Sequence, residues 1–407
     1  MTLIEETQKN SSLTRDKAIL VAAMIGDRIG LSLLYIVFGP LARDIGLSEI
    51  QFGFLIAATN ISLGIASPFW GRKSQILGRK PVFMIGLAGY AVGYILLAWI
   101  IQSGLDGSFT VSTVFWCLLA ARFVYGLAAA GTQPAATAYI ADITSVATRA
   151  KGMALIGIAA GVGTVLGPLL GGTLSAIDSV LPLYATAGIM GTAALLAWVG
   201  LTEPARHVTR EVKRKLSFVD PRVFPYMLGW CLVIFVLTSV QTITAFYIAD
   251  TFTFGGRDAV TGAISVAFLC MGIAMLFVQG VILQMFQIAP LALLRTGFIV
   301  FGIALIVLGS ATNLAMLNVS YMLLGFGFSL VNPGLNAGAS ISVEPEEQGA
   351  VAGLLSAAPV VGMIFGPVVG TMLYGINPTG PIWLGALISL AMAVYFFVQP
   401  RAKPIAE

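Results

Sequence analysis

Twelve long apolar runs divide this sequence, and they constrain its fold more than any other feature. Most of them are at least as long as the roughly 20 residues that a helix needs to cross the hydrocarbon core of a bilayer. The runs are continuously apolar rather than alternating, which favours helices over the strands of a membrane barrel. The predicted spans are residues 18–42, 50–71, 81–103, 112–142, 149–176, 181–201, 223–249, 259–283, 290–312, 315–342, 348–375 and 380–398.

The scarcity of charge supports the same conclusion. Charged residues make up 10% of the chain and hydrophobic residues 58%, whereas soluble domains carry about 25% charged residues. Such a chain cannot cover itself with a polar surface, so we predict an all-α integral membrane protein. The single histidine and three cysteines have no spacing typical of a metal site or a catalytic triad. We therefore expect no enzyme, no metal and no organic cofactor.

Lysine and arginine gather in alternate loops, and this sets the expected orientation. Basic residues occur before the first span, at 72–80, at 149–151, at 203–222 and in the C-terminal tail. The positive-inside rule then places both termini in the cytoplasm. The net charge of +4 reflects this membrane topology rather than nucleic-acid binding. The first residues lack the pattern of a signal peptide, so we expect the first span in the mature protein.

The two halves of the chain repeat each other. A shift of 199 positions aligns Gly126 with Gly325 and Pro134 with Pro333. We therefore predict a six-helix bundle at 1–202, a basic linker at 203–222 and a second six-helix bundle at 223–407. An even number of spans gives both bundles the same orientation, related by a pseudo-two-fold axis along the membrane normal. That arrangement predicts a transporter that works by alternating access.

Four motifs in the first half resemble one family. They are "GRKSQILGRK" at 71–80, "RFVYG" at 122–126, "AYIADITSVATRAKG" at 138–152 and "GVGTVLGPLLGG" at 161–172. The sequence is similar to the major facilitator superfamily, and within it to the twelve-helix drug/proton antiporters that include the tetracycline exporters. This resemblance implies a bacterial inner-membrane protein that exchanges substrate for protons. We expect it to be a monomer in the bilayer, driven by the proton motive force.

The resemblance also implies a charged latch on the cytoplasmic face. The family pattern has an aspartate where this chain has Gln75, so the latch is expected to be weaker. Asp142 is then the best partner for Arg79 or Arg149. The alternatives are that the basic residues only set topology and that Asp142 is an ordinary interfacial acid. The predicted gating residues are Gly71, Gln75, Gly78, Arg79, Lys80, Asp142, Arg149, Gly163, Gly167, Pro168 and Gly171.

Three charges fall near the middle of predicted spans: Asp27, Arg28 and Arg122. With a rise of 1.5 Å per residue, Asp27 and Arg122 both lie roughly 15 Å deep. Charges at this depth are costly and usually functional. The resemblance implies a role for Arg122 in proton transfer, and we predict Asp27 as the acid that couples protons to transport. The alternatives are that Asp27 and Arg28 neutralise each other and that Arg122 is purely structural.

Polar residues inside the spans supply candidates for substrate contact. The cavity has two arginines against one acid, which favours an anionic or zwitterionic substrate. The predicted substrate-binding residues are Arg28, Tyr35, Asn60, Tyr125, Gln133, Gln241, Asn332 and Asn336. We predict an exporter of small amphiphilic molecules, such as a drug, an antibiotic or a siderophore. The alternative is a proton symporter or uniporter for an organic anion.

The glycine-rich motif in the fifth span would be unfavourable in a soluble helix. In a bilayer, glycines spaced by four residues allow close helix packing. Gly163, Gly167 and Gly171 form such a stripe around Pro168, and the repeat places Gly362, Gly366, Pro367 and Gly370 in the eleventh span. The resemblance implies that the two stripes meet the opposite halves of the protein. We therefore predict two matched surfaces on which the halves slide.

Overall fold

The computed structural model describes residues 3–144, 149–204, 216–344 and 347–398, with side chains from Thr14 onward outside 149–151 and 153–154. The described helices are α1 (Leu3–Ile45), α2 (Glu49–Leu77), α3 (Arg79–Leu105), α4 (Val111–Ala129), α5 (Thr132–Ile143), α6 (Arg149–Ser175), α7 (Leu181–Gly200), α8 (Phe224–Thr251), α9 (Arg257–Phe277), α10 (Leu283–Met285), α11 (Pro290–Gly309), α12 (Leu314–Ile341), α13 (Gln348–Ile376) and α14 (Gly380–Val398). A π-helical turn, Val278–Ile282, joins α9 to α10.

Twelve segments of the described chain are long and apolar enough to cross a membrane. This confirms the predicted number of spans and the all-α fold class. Several helices extend beyond the apolar runs. For example, α1 begins at Leu3, and α2 continues to Leu77 within the basic loop. A helix satisfies its own backbone hydrogen bonds. Hydropathy therefore marks where the bilayer ends, not where the helix ends.

The chain forms two compact units. One contains Met1–Leu47 and Ala58–Arg210, and the other contains Ser48–Ala57 and Glu211–Glu407. The start of α2 is thus assigned with the second half of the chain, whereas the sequence predicts a boundary in the linker. Residues 205–215 of that linker lie outside the described part, so the predicted domain limits stay a prediction.

Each unit has its own packing core. In the first unit, α1 packs against α6 and α7, while α3 packs against α4, α5 and α7. Buried side chains such as Leu20, Phe83 and Tyr139 fill the space between these helices. In the second unit, α8 packs against α13, and α11 packs against α12 and α14. The first and fifth membrane helices of each repeat are therefore close neighbours in both units.

The fourth predicted span is broken into α4 and α5 at residues 130 and 131. Pro134 has no backbone N–H, so it cannot bond the carbonyl of Ala130. The indole N–H of Trp70 on α2 donates to the carbonyl oxygen of Leu127 at 2.7 Å. This bond satisfies a backbone group that the break would otherwise leave exposed in the membrane. The break gives α5 a start of its own, at Thr132.

Candidate functional site

The predicted coupling acid forms an ion pair with its neighbour on α1. Asp27 is 8% exposed, and its Oδ2 lies 3.4 Å from Nε of Arg28. Arg28 also donates from Nη2 to Oε1 of Gln133 at 3.1 Å. This geometry corresponds to the alternative in which Asp27 and Arg28 neutralise each other. It also brings together two predicted substrate-binding residues, Arg28 and Gln133.

Arg122 on α4 is buried against aromatic rings. It is 1% exposed, and its guanidinium carbon lies 5.3 Å from the ring centroid of Phe38 and 5.9 Å from that of Tyr125. Cation–π contacts of this kind stabilise a cation that has left water. Tyr94 on α3 lies within electrostatic range of both Arg122 and Asp27. One group of side chains in the first unit therefore contains all three predicted mid-span charges.

Tyrosines surround these charges, and sequence reasoning missed two of them. The rings of Tyr90, Tyr94 and Tyr125 have centroids 5.8 to 6.5 Å apart, and the hydroxyl of Tyr94 donates to the carbonyl of Gly30 at 2.8 Å. The predicted Tyr35 is buried within electrostatic range of Arg122. The missed signal is the spacing of Tyr90 and Tyr94, since residues four apart share one face of a helix.

The antiporter-like glycine stripe packs against this same segment of α1. A Cβ added at Gly167 would lie 2.6 Å from Cβ of Ser32, and one at Gly163 would overlap Cβ of Arg28. In the second unit, a Cβ added at Gly366 would lie 2.6 Å from the carbonyl oxygen of Phe235 on α8. These glycines therefore pack closely against α1 in the first unit and against α8 in the second. That the stripes also form surfaces on which the halves slide stays a prediction.

The basic motif between α2 and α3 contains a second candidate site. Nε of Arg79 lies 2.9 Å from Oδ2 of Asp142 at the end of α5, and Nη1 of Arg79 donates to Oγ of Ser74 at 2.7 Å. Asp142 thus has the predicted partner Arg79. The side chain of Arg149 lies outside the described residues, so that alternative pairing has no structural description. Gln75 is exposed.

Glu203 caps the start of α3, and sequence reasoning missed it. Its carboxylate accepts from the backbone N–H of Arg79 at 2.6 Å and of Lys80 at 3.0 Å. A carboxylate at a helix N-terminus is favourable because it bonds orphan N–H groups and faces the positive end of the dipole. Gly78 precedes the helix with φ of 111°, a conformation that favours glycine. A cap from 124 residues away leaves no local sequence signal.

Lys80 holds the end of α7. Its ammonium group donates to the carbonyl oxygens of Trp198 at 2.6 Å and Leu201 at 2.8 Å. A cation at a helix C-terminus bonds orphan carbonyls and faces the negative end of the dipole. A Cβ added at Gly71 would lie 4.0 Å from Cβ of Pro134, an ordinary van der Waals contact. The motif therefore joins α3 to α5 and α7.

The remaining predicted substrate residues lie on helices α2, α8 and α12. Asn332 and Asn336 on α12 share a face as predicted, with Nδ2 of Asn336 donating to Oδ1 of Asn332 at 2.9 Å. Asn60 on α2 and Gln241 on α8 are half-buried.

Trp230 on α8 is buried, with 7% of its surface exposed. Its indole N–H has no hydrogen-bond acceptor among the described residues, which sequence reasoning did not foresee.

The described residues contain twelve helices that are long and apolar enough to cross a membrane, with the charges of Asp27 and Arg122 buried inside them, which is the architecture of a multi-pass membrane protein. The sequence model of the Major Facilitator Superfamily matches residues 20–358 and 292–407, which is more than half of the chain. The chain therefore belongs to the Major Facilitator Superfamily. It is a transport protein and not an enzyme.

Similar proteins agree with this assignment. Multidrug resistance protein 1 of Bacillus subtilis is 27% identical over 406 residues, covering 97% of both chains. Quinolone resistance protein NorA of Staphylococcus aureus is 26% identical over 390 residues, covering 92% of this chain and 94% of that one. These relatives confirm the resemblance to multidrug efflux proteins.

Solved structures share the fold at lower identity. The nucleoside transporter NupG has a TM-score of 0.74 at 14% identity, covering 95% of this chain and 99% of that one. The human organic anion transporter MFSD10 has a TM-score of 0.67 at 20% identity, covering 94% of this chain and 99% of that one. At these identities the likeness describes the fold alone.

Proposed function

We propose that this protein is a proton-coupled exporter of small amphiphilic molecules, working by alternating access. The observation that carries the proposal is the Asp27 carboxylate, buried in the middle of a membrane span beside Arg28. Ionisable groups in such positions are costly and mark ion or substrate paths. The energy source is the proton motive force, and no organic cofactor takes part.

The ion pair suggests how the exchange works. With Asp27 charged, its carboxylate faces Nε of Arg28. The charged carboxylate can accept the ammonium group of a zwitterionic substrate, while Arg28 faces the anionic group of that substrate. A proton on Asp27 cancels the carboxylate charge and removes the partner of the ammonium group, so proton and substrate compete for Asp27. Competition of this kind produces exchange rather than co-transport.

The charge balance supports a zwitterionic or anionic substrate. This group of side chains contains two arginines, the half-buried Arg28 and the buried Arg122, and one acid, the buried Asp27. The surrounding tyrosines provide flat, adaptable surfaces of the kind that line ligand sites. The relatives are named for resistance to multiple drugs and to quinolones, and many quinolones carry a carboxylate. A zwitterionic quinolone is therefore our first test substrate.

The location follows from the sequence topology and the bacterial relatives. We propose a monomer in the bacterial cell membrane, with both termini in the cytoplasm. On this orientation the Arg79–Asp142 pair lies at the cytoplasmic ends of α3 and α5. There it would serve as the latch, held by Asp142 in the absence of an aspartate at Gln75.

Everted membrane vesicles test the direction and the coupling together. With an acidic interior, an exporter that exchanges protons accumulates norfloxacin inside the vesicles, and collapse of the pH gradient stops this. We expect Asp27→Asn to abolish gradient-driven accumulation. Asp44→Asn, at an exposed acid on the same helix, should accumulate norfloxacin as the unmodified protein does. Accumulation independent of the gradient indicates a uniporter, and gradient-driven loss from preloaded vesicles indicates a symporter; either result contradicts the proposal.

A further inference from the structure

The short helix α5 touches both candidate sites of the first unit. Its first turn carries Gln133, whose Oε1 accepts from Nη2 of Arg28 at 3.1 Å. Its last turn carries Asp142, which pairs with Nε of Arg79 at 2.9 Å. The Asp27–Arg28 pair on α1 and the ion pair at the start of α3 therefore both contact one helix of 12 residues.

The two contacts lie at opposite ends of α5. Gln133 and Asp142 are nine residues apart, which is about 13.5 Å along a helix axis. A helix that moves as one body carries a displacement of its first turn to its last turn.

The break before α5 lets it move separately from α4. Trp70 holds the end of α4 through the carbonyl of Leu127, and residues 130 and 131 separate that point from α5. Between its two ends, Tyr139 donates to Oδ2 of Asp16 at 2.9 Å. The hydroxyl of Tyr139 also contacts the carbonyl of Thr202. These contacts give α5 a fixed point near its middle.

We propose that α5 transmits the charge state of Asp27 to the Arg79–Asp142 pair, with Gln133 as the positioning residue that receives the change. The proposal rests on the proposed function, in which Asp27 gains and loses a proton. When Asp27 is neutral, Arg28 loses its ion partner and turns away from Gln133. The first turn of α5 is then released, the helix shifts about Tyr139, and the Arg79–Asp142 contact weakens.

The groups around Asp27 define which side chains respond to a change in its charge. Arg28 lies beside it on α1, and Tyr90 and Tyr94 face it from α3. Arg122 on α4 is in range of Tyr94. Of these groups, Arg28 makes the hydrogen bond to α5. The route from Asp27 to the ion pair therefore runs through Arg28 and Gln133.

Hydrogen exchange measured by mass spectrometry tests the proposal on purified full-length protein without any ligand. The readout is the exchange rate of peptides that cover 74–80 and 139–144. Asp27→Asn should raise exchange in both peptides by about fivefold, the effect of losing one hydrogen bond. In Gln133→Leu both peptides should exchange quickly already, and adding Asp27→Asn should change nothing further.

Two controls separate a positioning role from general loosening. Gln133→Glu supplies a carboxylate that holds Arg28 whether or not Asp27 is charged, so both peptides should exchange slowly and Asp27→Asn should not raise their exchange. Thr137→Val removes a hydroxyl that bonds the carbonyl of Gln133 within the same helix, and it should respond as the unmodified protein does. If Gln133→Leu leaves the response to Asp27→Asn intact, α5 does not transmit through Gln133 and the inference is wrong.

The outcome is distinguishable from failure of the proposed function. Loss of gradient-driven transport in Asp27→Asn, with no change of exchange at 74–80, keeps the coupling role and overturns only the role of α5. Full transport in Asp27→Asn overturns the coupling role itself, whatever the exchange rates show.

Discussion

At the residue scale, two arginines of the first unit each serve two partners. Arg28 forms an ion pair with Asp27 and donates to Gln133, and Arg79 forms an ion pair with Asp142 and donates to Ser74. A planar guanidinium with five donors suits this use. Each arginine thus joins elements that a single ion pair would leave separate.

Arg222 shows the same behaviour in the second unit. It donates from Nη1 and Nη2 to the Glu347 carboxylate at 2.9 and 3.1 Å, and also to both carboxylate oxygens of Asp220. These contacts join the segment before α8 to the segment before α13. Hydrogen bonds from the Arg222 side chain hold the pKa of Asp220 below its ordinary value.

The lowered pKa predicts a pH dependence of stability. A group whose pKa is lower in the folded state stabilises the fold above its unfolded pKa, and that contribution is lost as pH falls through the folded pKa. We therefore expect the melting temperature of the unmodified protein to exceed that of Asp220→Asn at pH 6. The gap should close as pH falls below 3.8, the ordinary value. Thermal unfolding of both proteins from pH 6 to 3 measures it, and a constant gap contradicts the assignment.

At the element scale, the close helix pairs α1 with α6 and α8 with α13 use glycine in place of side chains. Gly366 on α13 contacts the backbone of Phe235 on α8, whereas Gly353 on the same helix has no atom within 4 Å of an added Cβ. The two glycines lie on the same helix and differ in how closely neighbouring atoms approach them. They therefore form a matched pair for measuring what close packing contributes.

Gly366→Ala should destabilise the second unit. The added methyl group would lie 2.6 Å from a carbonyl oxygen, and overpacking of this kind costs about 1 to 3 kcal/mol. Gly353→Ala should leave stability unchanged or slightly raise it, since alanine is the better helix former. Thermal unfolding of the two variants in the same detergent provides the comparison. Equal melting temperatures would show that the stripe does not hold α8 and α13 together.

Helix existence was predictable from the sequence, but helix continuity was not. Apolar length alone predicts twelve spans, because the bilayer imposes it. Pro134 and Pro333 are equivalent in the repeat, yet the first lies beside a break and the second lies inside an unbroken α12. Three residues before the proline, the first half has a glycine, Gly131, and the second half has a leucine, Leu330. The Trp70 bond that satisfies the break comes from another helix, so no local pattern reveals it.

At the scale of the whole molecule, residue types in the candidate site were predictable and their partners were not. The rarity of charge inside the spans identifies Asp27, Arg28 and Arg122 from sequence alone. The sequence left open which of them pair, and the structure shows Arg28 beside Asp27 and aromatic rings beside Arg122. Glu203 and Tyr94 were missed because their contacts depend on tertiary packing.

The central claim is that substrate and proton compete at Asp27, and proton release on binding measures this directly. Norfloxacin is added to purified protein in weakly buffered detergent near neutral pH, and a pH indicator records the change. Linkage predicts uptake or release of protons whenever binding favours one protonation state. The unmodified protein and Asp44→Asn should release protons and lower the pH by the same amount when norfloxacin binds. Asp27→Asn should bind norfloxacin with no change of pH. An equal pH change in Asp27→Asn would contradict the account, since another group would then exchange the proton.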